Sequence, residues 1–134
     1  MNRCAQLSLA LALAGTLAAL APQPASAQVI QRNFPQNALR GQIVFGTPPI
    51  ITLNGNVTHL PSGYRIHGLN NLLVMTAPLV GGSFVVDYTL DLNGQVHEVW
   101  MLSAAEAAKT PWPATPADAA AWKFDLIGQT WTKP

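Results

Sequence analysis

Between positions 40 and 102, short apolar runs alternate with turn-forming residues. RGQIVFG, PIITLN, NVTHL, YRIHG, LLVMTA, SFVVDYTLD and QVHEVWML are rich in β-branched and aromatic residues, the side chains that fit a pleated, half-buried surface. GTPP, NGN, PSG, GLNN, APLVGG and LNG separate them, and Gly, Pro and Asn supply the backbone angles that tight turns demand. Seven short strands so closely spaced predict an all-β fold, a small antiparallel barrel or sandwich of about six to seven strands, rather than βαβ units. Ahead of them, residues 28–39 (QVIQRNFPQNAL) read as an extended lead-in that either crosses the sheet or stays loose.

The pattern changes after residue 102. Ser103 and Glu106 form a capping box, in which each side chain satisfies the other's free backbone N–H, so a short helical turn is expected there. TPWPATP at 110–116 is a stiff linker. Thr115, Pro116 and Asp118 then supply a cap, a proline at the first helical position and an acid at the third, which predicts about two helical turns. LIGQTWTKP reads as either a last strand or a loose tail. Residues 40–109 are thus expected to form the β-domain and residues 110–134 an extension containing three tryptophans, Trp112, Trp122 and Trp131. Aromatic side chains so placed argue against full disorder of that extension.

The first 27 residues stand apart from this pattern. An Arg precedes the apolar run LSLALALAGTLAALA, PQP follows it, and Ala25-Ser26-Ala27 presents small residues where a signal peptidase reads them. This is the form of a secretory signal peptide cleaved before Gln28, and it predicts a periplasmic or secreted protein; the rival reading is an uncleaved anchor helix. Cys4 precedes the apolar run, so it is not a lipoprotein acylation site, and it is the chain's one cysteine. The mature chain must therefore fold without the disulfides common in small exported domains. Without Arg3, the six remaining Lys and Arg balance the six Asp and Glu. A basic stripe for nucleic acid is absent, as is a polybasic or amphipathic membrane anchor in the mature chain.

Candidate chemistry is sparse. His97-Glu98 opens like a zinc protease motif, but the position that should hold the second His is Met101, and the motif needs a helix, where residues i and i+4 share a face. Here Asp91-Leu92-Asn93-Gly94 marks a hairpin turn closed by a left-handed glycine. A three-residue loop pairs Leu90 with Val96, Tyr88 with Glu98, Val86 with Trp100 and Phe84 with Leu102, which keeps one face almost wholly apolar. A two-residue loop would pair Leu90 with His97 and Asp87 with Trp100 and mix the faces, so burial selects the first register. It places Glu98 at the core edge near Tyr88 and His97 beside Thr89. Residues 97 and 101 then lie about 13 Å apart along a strand, too far to share a metal ion.

His59, His67 and His97 lack the tight spacing of zinc or copper ligands, and Ser62, Ser83 and Ser103 lie in no nucleophile motif. Hence no catalytic residue, metal ligand or cofactor is expected. The most polar ordered stretch is GYRIHGLNNLL at 63–73, and Tyr64, Arg65, His67, Asn70 and Asn71 are the candidate ligand-binding rim. The competing reading makes them ordinary strand and turn residues, with Arg65 and His67 outward and Tyr64 and Ile66 inward.

NFPQNALRGQIVF, LNG, LPSGYRI, the NN pair and VDYTLDLNGQVHEVWML together resemble a family of small exported proteins of Gram-negative, mainly betaproteobacterial, origin, over roughly residues 33–106. The resemblance implies export and a compact β-domain and carries no catalytic residues. The function expected is a non-enzymatic periplasmic binding or envelope-associated module for a protein, peptide or small-molecule ligand. The alternative is a small periplasmic hydrolase or metal-binding protein whose residues meet only in the fold. A convergent titratable cluster in a cleft would favour the alternative; an apolar groove or an open strand edge would favour the binding module.

Overall fold

The computed structural model describes residues 31–134 and Pro22. The signal segment and the proposed cleavage point before Gln28 lie outside the described residues. Among the described residues the fold is mainly β, with eight strands: β1 Leu39–Phe45, β2 Ile50–Leu53, β3 Asn56–His59, β4 Arg65–His67, β5 Ser83–Leu90, β6 Val96–Met101, β7 Lys123–Asp125 and β8 Thr130–Thr132. Two short helices, α1 Ala104–Ala107 and α2 Pro116–Ala121, stand between β6 and β7. The first six strands make one curled sheet in the order β3-β2-β1-β5-β6-β4, and β7 and β8 make a separate ribbon. β1 to β3, β5 and β6 pair antiparallel, whereas β4 returns to lie parallel to β6.

The inner face of the curled sheet holds the main core, built on Ile43, Phe45, Ile51, Ile66, Val86, Tyr88 and Val99. A second core lies on the opposite face of β5 and β6. There Phe34 from the lead-in and Trp112 and Trp131 from the C-terminal extension cover Trp100 and Ala38. The extension is tied to the sheet by hydrogen bonds as well: Arg40 N–H donates to the Pro113 carbonyl at 2.8 Å, and Trp112 Nε1 donates to the Ala38 carbonyl at 3.0 Å. Both expected helix starts form. Ser103 and Glu106 close a reciprocal capping box, and Thr115 caps α2 by accepting from Asp118 N–H. LIGQTWTKP supplies β8.

Two elements differ from the sequence reading. LLVMTA is not a strand: Leu73 makes one isolated bridge to His67, and Ala77–Leu79 is a 3-10 turn. Val74 N–H donates back to the Ile66 carbonyl and its side chain packs on the main core. Leu72, Leu73 and Met75 are left more than 60% exposed, so the apolar run lacks the burial that would make it a sheet strand.

The second difference is the β5–β6 register. The turn itself is as expected: Asp91 N–H donates to the Gln95 carbonyl, Gly94 N–H to the Asp91 carbonyl, and Gly94 is left-handed at φ 76°. Leu90 therefore pairs with Val96. Beyond it the register shifts, and Thr89 faces Glu98, Tyr88 faces Val99, Asp87 faces Trp100 and Val86 faces Met101. The extra residue is His97, a β-bulge that lets Val96 and Val99 both enter the main core. Trp100 consequently turns away from Val86 into the second core. The expected register assumed one apolar face and one solvent face; here β5 and β6 are covered on both.

Candidate functional site

The polar rim resolves into separate structural roles. Tyr64 packs against the main core and its hydroxyl lies 3.4 Å from Thr76 Oγ1. Asn70 Oδ1 accepts from Leu72 N–H at 3.1 Å, and Asn71 takes a left-handed conformation at φ 64°, the turn duties that Asn performs readily. Arg65 and His67 alternate outward on β4, as expected, and converge on Glu98 of the parallel neighbour β6. Arg65 Nε is 3.2 Å and His67 Nε2 3.6 Å from Glu98 Oε1. Glu98 thus lies on the outer face opposite Thr89, not at the core edge near Tyr88, because the bulge at His97 moves it across. The His67 ring stacks on Trp100 at 5.3 Å and 10°.

The hydroxyl beside this Arg–His–Glu group is that of Thr89, which is buried and accepts from Glu98 N–H at 3.3 Å. Ser83 Oγ accepts from Gln42 Nε2 at 2.7 Å and Ser103 is occupied as a cap. His59 and His67 lie on the two opposite edge strands of the sheet. Among the described residues no group of three or more His, Cys, Asp or Glu is placed to hold a metal ion, and no helix is long and apolar enough to cross a membrane.

Charge is instead invested in two buried pairs that the sequence reading missed. Arg40 on β1 binds Asp87 on β5 through Nε–Oδ1 at 3.0 Å and Nη2–Oδ2 at 3.3 Å. The same guanidinium donates to the Ala107 and Lys109 carbonyls and stacks on Trp112 at 4.6 Å. Arg32 from the lead-in binds Glu106 and donates to the Gly68 and Met101 carbonyls. Burial pushes the Asp87 carboxyl up to about 6, against the pull of Arg40. For Glu106 burial raises the carboxyl, but the hydrogen bonds from Arg32 and Ser103 outweigh it and hold it below its ordinary value. Both pairs clamp segments together, and neither lines the two openings described next.

A cleft of ligand size lies elsewhere. The turn after Phe34, the Asp91–Gly94 hairpin turn and α2 surround a groove of about 710 Å³, within the range of ordinary small-molecule sites. Leu39, Leu90, Pro116 and Ala119 give it apolar walls, and Leu92 stands fully exposed at its margin. Asp91 lies on the wall with its carboxylate fixed: Oδ1 accepts from Asn93 N–H at 2.8 Å and Gln95 N–H at 2.9 Å. α2 reaches the groove because Thr115 starts the helix directly after the Trp112 anchor. A smaller opening of about 270 Å³ is lined by Leu53, Thr58, Tyr88 and Val96. The predicted rim residues line neither opening. Their polarity marks them in the sequence, whereas the groove's apolar wall is assembled from Leu39, Leu90, Pro116 and Ala119, which lie in distant segments. Asp91 was visible in the sequence, but as a turn acceptor only. No protein-family model, curated protein or solved structure matches the chain.

Proposed function

We propose that the protein is an exported, non-enzymatic binding module that takes a small apolar or amphiphilic ligand in the groove between the β5–β6 turn and α2. The observation that carries this is the groove itself: about 710 Å³, apolar-walled, and free of any paired titratable groups. Export rests on the leader-like first 27 residues and on the resemblance to small exported β-proteins. The hydrolase or metal-protein alternative requires a convergent cluster in a cleft, and the Arg65, His67 and Glu98 group lies outside the groove.

Titration with N-phenyl-1-naphthylamine, a neutral fluorophore that brightens in apolar surroundings, tests the reading. One saturable site with Kd of about 1–100 µM is expected, the range an open, mainly apolar site supports. Ala120→Trp, at an exposed position on the groove wall, should fill the site and weaken binding at least tenfold without unfolding the protein. A linear, unsaturable signal, or equal affinity in the variant, would remove the groove as the site.

A further inference from the structure

We infer that the groove takes an amphiphile with a cationic head, its apolar part against Leu39, Leu90 and Ala119 and its head beside the Asp91 carboxylate. This deepens the proposed function and rests on it. Three of the six carboxylates are already neutralised: Asp87 by Arg40, Glu98 by Arg65 and Glu106 by Arg32. Those pairs use every arginine among the described residues. Lys109 is committed to the Gly128 carbonyl and Lys133 lies over the Trp122 ring at 5.0 Å. Asp91 has no cationic partner among the described residues, and it is the only charged residue lining the groove.

Its geometry is set for a ligand as well as for the turn. The two backbone N–H groups that Oδ1 accepts fix the rotamer, so no side-chain entropy is lost when the carboxylate meets a cation. Oδ2 accepts no hydrogen bond among the described residues. A negative charge held rigidly at the rim of an apolar cleft attracts an ammonium head and repels a carboxylate or sulfate head, while the apolar walls reward an alkyl or aryl body in either case. The gain is modest because the site is open to water, as for other exposed ion pairs.

Displacement of N-phenyl-1-naphthylamine by decylammonium, decanol and decanoate at neutral pH separates the contributions, since the three are linear ten-carbon amphiphiles that differ in head charge. At low salt the expected order is decylammonium, then decanol, then decanoate, with about tenfold between the first and last. High salt should compress that ratio towards one. Asp91→Asn keeps a side-chain oxygen for the two turn N–H groups and should also abolish the preference, read as the ratio of decylammonium to decanoate displacement. Equal displacement by all three, tightest binding of decanoate, or a preference that survives in Asp91→Asn would each overturn the cationic head and leave the apolar groove standing. Failure of the fluorophore itself to bind would overturn both.

Discussion

Asp87 has no exposed surface, and it faces Arg40 across one strand pair and Trp100 across the other. Its environment sets a pH dependence of unusual sign. The charged groups around it are Arg40, Arg32 and Glu106; desolvation outweighs their sum and raises the carboxyl from 3.8 to about 6. A raised acid binds its proton more tightly in the fold than in the unfolded chain, so the cost of ionising it is fully felt above pH 6 and relieved as the pH falls towards 4. At 1.36 kcal/mol per unit the effect is about 3 kcal/mol. Wild-type protein should therefore gain stability from pH 6.5 to pH 4.5 relative to Asp87→Asn, which cannot titrate there. Glu106 has the opposite sign, losing its contribution at still lower pH, and is common to both proteins. Urea melts across that interval measure the difference. Parallel curves for the two proteins would mean that Arg40 holds Asp87 ionised throughout. None of this was readable from an Asp between valine and tyrosine in a strand, because alternation alone sends Asp87 to solvent. Only the second core turns that position into an interior one.

At the scale of the element, the hairpin shows what local signals specify and where they stop. Asp91 and Gly94 determine the turn, and Leu90 opposite Val96 follows from it. Three residues further on the pairing is decided by tertiary packing, since Trp100 packs on Phe34, with ring centroids 6.0 Å apart, in the cluster that Trp112 and Trp131 complete. A bulge at His97 reconciles the turn with both cores, and nothing in VHEVW distinguishes the bulged residue from a paired one. LLVMTA failed for the complementary reason, β-like composition without a surface to pack on. The capping signals at Ser103 and Thr115, by contrast, involve residues three apart and were legible in full. Trp100→Ala should cost about 3–5 kcal/mol, as large aromatic truncations do, and His97→Ala less than about 1 kcal/mol. Gly94→Ala should cost about 1 kcal/mol through its left-handed backbone alone, there being no atom beyond its chain neighbours within 4 Å of the added methyl. The register is tested by combining Val86→Ala with Trp100→Phe. With these side chains on opposite faces, the two costs should add to within about 0.5 kcal/mol; a coupling well above that would return Val86 and Trp100 to one face.

For the molecule as a whole, the question is whether residues 110–134 decorate a finished β-domain or complete it. The curled sheet has no cysteine to close it, and its order leaves β5 and β6 central with an apolar Trp100 on the outer side. Covering that side takes Trp112 at 7% exposure and Trp131 at 3%, together with the Trp112 stack that screens the Arg40–Asp87 pair from water. Each tryptophan is worth roughly 3–5 kcal/mol as a core truncation, and a domain of this size has about 5–15 kcal/mol in all. Loss of both, about 6–10 kcal/mol, consumes a large part or all of that margin before the exposure of Arg40 and Asp87 is counted. A chain of residues 28–109 should therefore lack a cooperative urea transition and a near-ultraviolet circular dichroism spectrum, although every strand of the large sheet is present in it. The chain of residues 28–134 should show both. The single change Trp112→Ala should fall between them, folded but destabilised by several kcal/mol, because Trp131 and Phe124 remain to cover part of the face. A cooperative transition in the 28–109 chain, with a midpoint close to that of the longer one, would make the extension an appendage. The second core would then be a consequence of the sheet rather than a condition for it.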